Sequence, residues 1–224
     1  LIRFDEKTHS YYGENGKRYT SVTQLLKPYT PPFDPDGFII KAVAKKEGVA
    51  EQDIRYKWNK ERDEACDKGN KLHASIEALV KKEKPADEKI IEDFIRFKKE
   101  NITGKLTAEE RIWNDFYEVA GTPDMPERFK RKTNIFDHKT NKQIDFSNKY
   151  GTRMLGDLSF LEDCNYNKYA LQLSIYGLLY ELKGEIIGKL TILWFDSEYK
   201  VHPIPVPYMR DTAELILNNH LEKL

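Results

Sequence analysis

One segment dictates what the rest of the chain must do. From Tyr169 to Lys183 the sequence sets Ala170, Leu171, Leu173, Ile175, Leu178, Leu179 and Leu182 on nearly every side of a helix. A helix that is apolar all round is buried, so other elements have to enclose it. The remainder is strongly polar. A third of the 224 residues are charged and the mean hydropathy is −0.71. Leu, Ile, Val and Phe nevertheless number 56, a quarter of the chain, above the roughly 20% below which disorder is the default. The length suits one large domain or two small ones. We expect a single domain over residues 1–224, with 1–104 a hairpin and a mostly helical part, and 105–224 a sheet core.

The longest clean apolar run, Leu190 to Phe195, is far short of the roughly 18 residues that span a bilayer, so no membrane partner is expected. The chain opens on Leu1 without a signal-peptide pattern. The expected setting is intracellular and reducing, an organelle included if a targeting segment has been removed. Cys66 and Cys164 are too few for a disulfide framework or a four-cysteine metal site. Lys and Arg balance Asp and Glu at 37 each, which argues against coating nucleic acid non-specifically but leaves room for a local basic groove.

Ile2 to Tyr19 reads as a hairpin turning at Gly13-Glu14-Asn15-Gly16, and Ser21 can cap a short helix running to Leu26. Pro35 to about Lys84 is helical by content, with breaks near Gly48 and Gly69, and a further helix covers about Asp87 to Glu100. The texture then changes. Lys105 to Glu118 and Thr133 to Lys139 read as a strand meander, with Trp113 to Val119 strand-like. Strands at Lys189–Phe195 and Tyr199–Val206 follow the apolar helix, and a last helix covers about Met209 to Leu221. The class is α/β or α+β, a central mixed β-sheet flanked by helices.

Ile135 and Phe136 lead into Asp137-His138-Lys139, so this triplet should end a buried strand, with Asp137 and Lys139 on one face and His138 on the other. An acidic residue two before a lysine occurs five times in this chain, so the triplet alone means little. Its upstream partner singles it out. Gly121-Thr122-Pro123-Asp124 offers a turn between strands that would bring Asp124 beside Asp137, and two adjacent carboxylates can bind Mg²⁺ or Mn²⁺. Otherwise it is an ordinary turn. His73 and Glu77 form an i,i+4 pair beside the apolar stripe Leu72, Ile76, Leu79 and Val80, and can point to one spot. Gln172 and Tyr176 are a similar pair on the apolar helix. Burying Gln172 unpartnered would cost on the order of 1–3 kcal/mol, so it either bonds a neighbouring strand or lines a site.

Taken in order, Gly-x-x-x-His-x-x-x-Glu at Gly69, Gly-Thr-Pro-Asp, Asp-His-Lys-Thr and Gln-Leu-x-x-Tyr resemble the PD-(D/E)XK nuclease superfamily. The likeness is to the branch holding the RecB-type nuclease domain, the Cas4 proteins and the mitochondrial genome maintenance exonuclease. Thr-His-Ser-Tyr-Tyr and Ser-Val-Thr-Gln-Leu-Leu near the N-terminus look like phage-encoded exonucleases of that branch. The resemblance implies a restriction-endonuclease-like core. It also implies metal ligation by His73, Asp124 and Asp137 with the His138 carbonyl, and a catalytic Lys139. Gln172 and Tyr176 would organise the site and the strand. A Glu ahead of the metal-binding Asp is common in the family, and Glu109 and Glu110 both match; Glu77 is a further acidic candidate. With two cysteines, the iron–sulfur cluster of Cas4-type members is not expected.

The implied reaction is hydrolysis of a DNA phosphodiester with one or two Mg²⁺ or Mn²⁺ ions, most simply by an exonuclease on ends or single strands in recombination, repair or phage replication. A recombination or replication protein is a possible partner. A structure-specific or restriction-like endonuclease, a DNA-binding module without catalysis and a metal-dependent hydrolase of another substrate are the alternatives. Six basic residues against two acidic ones between Glu127 and Lys142 make a local cluster. In it Arg128, Lys130, Arg131, Lys132 and Lys142 either track a DNA backbone or form a solvated hairpin tip. Tyr29 and Phe33 either stack on unpaired bases or cover the core.

Overall fold

The computed structural model describes residues 2–32 and 35–224; the expectation for Phe33 lies outside the described residues. Two mixed sheets make the frame. In the first, β1 (Arg3–Asp5), β2 (Ser10–Tyr12) and β3 (Arg18–Ser21) form an antiparallel meander. β3 then runs parallel to β6 (Val119–Gly121), which pairs with β5 (Ile112–Asn114). The N-terminal segment is thus a three-stranded meander rather than one hairpin, because Asp5 caps a second turn through the amides of Lys7 and Thr8. Ser21 does cap α1 (Val22–Leu26), exchanging hydrogen bonds with Gln24 in a capping box.

The second sheet has the order β10 (Val201–Val206), β9 (Ile186–Phe195), β8 (Lys132–Lys139), β7 (Met125–Phe129) and β4 (Lys105–Leu106). β8 and β9 are parallel and the other neighbours antiparallel. A parallel pair needs a crossover, and the apolar helix α5 (Asn165–Glu181) lies within it. α5 is enclosed as its composition demands. Ala170, Leu171, Leu173, Ile175, Leu178, Leu179 and Tyr180 are buried against α1, β5, β8, β9 and the last helix α6 (Arg210–Leu221). Leu182 falls past the helix end, where it is half exposed.

The opposite face of the second sheet is covered by α3 (Glu51–Val80) and α4 (Glu92–Asn101). Leu72 and Ile76 of α3, Ile90 and Ile91, and Phe94 of α4 pack on Met125, Phe136, Leu193 and Phe195. The expected break at Gly48 occurs: α2 (Ile40–Glu47) ends there, with Gly48 in the left-handed region at φ 69°. The one near Gly69 does not. The helix continues through Gly69, where an added Cβ would stand 3.3 Å from the Thr140 hydroxyl, so glycine serves close approach instead of a break. Trp113 to Val119 is likewise not one strand but a hairpin. Asn114 Oδ1 accepts from the amides of Phe116 and Tyr117, and Glu118 takes φ 52°.

β8 therefore has a helix on each side and alternates between them. Ile135 joins the α5 side and Phe136 the α3 side, so the polar residues that follow are divided between two faces. None of the helices among the described residues is long and apolar enough to cross a membrane.

Candidate active site

The segment Thr122–Asp124 joins β6 of the first sheet to β7 of the second, so Asp124 stands where the two sheets meet. β7 pairs with β8 with Met125 opposite Phe136. That register sets Asp124 beside the end of β8. Its Oδ2 accepts from the His138 amide at 2.7 Å, the peptide immediately after Asp137. Asp124 thus stands beside the Asp137–His138 peptide, but the Asp137 carboxylate is not among the donor atoms that gather with it.

On the α5 face, Asp137 is 2% exposed. Its Oδ2 lies 2.5 Å from Lys139 Nζ as an ion pair, and its Oδ1 accepts from Gln172 Nε2 at 3.5 Å. Burial pushes the Asp137 carboxyl above the usual range; the Lys139 ammonium opposes this and the Asp124 charge adds to it. Burial pulls Lys139 downward, but the Asp137 and Asp124 carboxylates outweigh it and hold the ammonium above its ordinary value. Lys139 Nζ also sits 4.7 Å over the Tyr169 ring. Tyr176 is buried beside Gln172, and burial raises its hydroxyl well above the usual phenol value.

On the α3 face, His73 Nδ1 is 3.6 Å from Asp124 Oδ1 and His138 Nδ1 is 3.8 Å from Asp124 Oδ2. The donor atoms of His73, Asp124 and His138 lie within 4.8 Å of one another. His138 is wedged between Phe94 and Phe195. Burial there, with His73 next in weight, lowers its pKa to about 3, so the ring is neutral at pH 7 and can act as a ligand. The sequence reading credited His138 with a backbone carbonyl alone; the structure turns its imidazole toward Asp124 as well.

The two acidic alternatives now separate. Glu109, at φ 48°, lines a cleft with His73, Glu77, Asp124 and His138, and its amide donates to the Asp124 carbonyl at 3.0 Å. Burial first, then the Glu77 and Asp124 carboxylates, raises its pKa. Glu110 points away and clasps Arg128 through two bonds of 2.7 and 2.6 Å. Glu77 faces the cleft and is paired with Lys81.

The basic cluster divides along the hairpin. Lys130 and Arg131 form the β7–β8 turn and Lys132 opens β8, five residues before Asp137 and therefore about 16 Å from it at strand rise. Arg128 is held by Glu110 and by Glu185 at 3.0 Å. These four lie toward the far end of the hairpin from the acidic centre. Lys142 is at the site's end of β8, 3.2 Å from Glu61. Tyr29 is buried in the core beside α5 and bonds Asn219, so its covering role holds.

Three further residues shape the joint between the sheets. The hydroxyls of Tyr11 and Thr122 share a 2.9 Å hydrogen bond that pins the inter-sheet segment. Gly121 packs so closely that a Cβ would fall 2.4 Å from Tyr176 Cε1.

The arrangement offers one cluster of imidazole and carboxylate donors, with a half-buried lysine beside it. One of its polar atoms, His138 Nε2, is buried without a hydrogen-bond partner. No protein-family model matches the chain, and no curated protein matches it. Among solved structures, the crystal structure of SSO0001 overlaps 91% of this chain and 75% of its own length, at 13% identity and a TM-score of 0.41. At that score the overlap carries no argument.

Proposed function

We propose that the chain is a divalent-metal-dependent deoxyribonuclease built on a PD-(D/E)XK core, acting on DNA ends or single strands. One observation carries this reading. Asp124 and Asp137 arrive at one spot from paired strands, with Lys139 Nζ 2.5 Å from Asp137 and His73 3.6 Å from Asp124. The gathered donor atoms of His73, Asp124 and His138 support a bound cation. His73, Asp124 and the His138 imidazole would hold it, with Asp137 adjoining. Imidazole donors suit Mn²⁺ better than Mg²⁺, which prefers oxygen and water. Such an ion, when bound, lowers the pKa of water and neutralises phosphate charge.

The chain's own residues do the rest. Lys139 supplies a fixed positive charge where negative charge builds on the phosphoryl group. Gln172 holds the Asp137 carboxylate in orientation, and Tyr11 through Thr122 positions Asp124. Glu109 and Glu77, facing the cleft, are placed to accept protons from an attacking water.

End-labelled single- and double-stranded DNA, incubated with Mn²⁺ or Mg²⁺, tests the reading. Shortening of linear DNA is expected with Mn²⁺ ahead of Mg²⁺, while a closed circle stays intact. Lys139→Ala should lower the rate at least 100-fold, and His73→Ala should weaken Mn²⁺ binding in calorimetry at least tenfold. Cutting that survives Lys139→Ala would overturn the assignment.

A further inference from the structure

Beside the lysine face of the acidic centre lies a cavity of ≈ 330 Å³ between α1 and the first turns of α5. Thr23, Leu26 and Lys27 come from the α1 side, and Lys168, Tyr169 and Gln172 from α5. Two of these residues reach directly into the centre: Gln172 through its bond to Asp137, and Tyr169 through Lys139 over its ring. Among the described residues no carboxylate lines the cavity, which sets it apart from the acidic cleft on the other face. Lys168 is paired with Asp163 at 2.7 Å. Lys27 is exposed, and among the described residues no carboxylate is recorded against it. An uncommitted cation, an apolar wall formed by Leu26 and the Tyr169 ring, and a volume at the small end of ligand pockets match one phosphate and one base.

We propose that this cavity receives a single unpaired nucleotide of the substrate strand, next to the scissile phosphate at Lys139. Lys27 contacts its phosphate, and the base lies against Leu26 and Tyr169. A base pair would not enter so small a cavity. The cavity therefore selects unpaired strands, and the proposal rests on the nuclease reading for the identity of the strand.

The test uses the whole protein with Ca²⁺ in place of Mn²⁺, and a fluorescein-labelled oligothymidylate of ten residues read by anisotropy. Lys27→Ala should raise Kd at least fivefold and reduce the salt slope of log Kd by about one. Thr23→Trp, an exposed α1 position whose indole would fill the cavity, should raise Kd at least tenfold. Lys99→Ala, on exposed α4, should change it less than twofold. A second arm uses dTMP and follows the amide resonances of Leu26 to Tyr29 and Lys168 to Gln172. If DNA is cut but both cavity variants bind like wild type and dTMP moves none of these resonances, the cavity assignment falls and the nuclease reading stands. If no DNA is cut but dTMP shifts them and Lys27→Ala abolishes the shifts, the nuclease reading falls and the nucleotide cavity stands.

Discussion

At Gly121 the absence of a side chain is what lets Tyr176 reach the inter-sheet joint. A methyl group there would meet the Tyr176 ring at 2.4 Å and Val22 at 3.0 Å. Overpacking of this kind costs about 1–3 kcal/mol. Gly121→Ala should therefore lower unfolding free energy in urea by about that much, and adding Tyr176→Leu should restore part of it. A loss under about 0.5 kcal/mol, the range of a neutral surface change, would mean the ring yields freely. The same scale shows what single residues reveal in advance. Asp124, Asp137 and Lys139 were legible because spacing and strand alternation are written in the order of residues. The choice between Glu109 and Glu110 was not. It depends on a left-handed backbone at Glu109 and on Arg128 arriving from β7 to occupy Glu110, and neither leaves a mark in a local pattern.

Between elements, ion pairs do the fastening. Glu181 at the end of α5 accepts from Tyr208 and from Arg210 at the start of α6, each at 2.7 Å. Those two hydrogen bonds, Tyr208 first, hold its carboxyl below the usual glutamate value. A carboxyl depressed in the folded state adds stability above the unfolded pKa, about 4.3, and loses it as pH falls through the folded value. Glu181→Gln should thus lower Tm at pH 7, and the gap to wild type should close below about pH 4. A gap that persists in acid would show that shape and not charge is at work.

The hairpin of β7 and β8 makes the companion case. Arg128→Ala strands Glu110 and Glu185 half-buried and should cost about 1–3 kcal/mol in chemical denaturation. Lys130→Ala with Arg131→Ala should cost within about 0.5 kcal/mol and leave DNA affinity within twofold. Charge counting along the sequence could not separate these residues, because it ignores which end of a hairpin a residue occupies. Turn chemistry hid the β5–β6 hairpin in the same way: an asparagine cap and a non-glycine left-handed residue at Glu118 have no strong signature.

Over the whole molecule, burial is uneven. α5 is wrapped on every side, whereas α3 is buried near its start at Ile54 and near its end at Leu72, Ser75 and Ile76, with none of Arg55 to Lys71 buried between. Local opening follows such differences. In hydrogen exchange, amides from Asn59 to Lys71 should exchange at least tenfold faster than those from His73 to Val80. Equal protection would show that the helix opens as one unit. The burial of α5 was evident from composition, but the span of α3 was not, because Gly69 looks like a stop until Thr140 is seen against it.

A helix supported in this way is a beam. Thirty residues make it about 45 Å long, clamped in the core at one end and carrying α2 at the other through Ile40, Ala44 and Ile54. The pairs Glu61–Lys142 and Lys68–Asp196 are stays along its span. His73 is the first residue after Leu72 enters the clamp, so the imidazole sits at the fulcrum. Any tilt of α2 would therefore bear on the contact between His73 and Asp124.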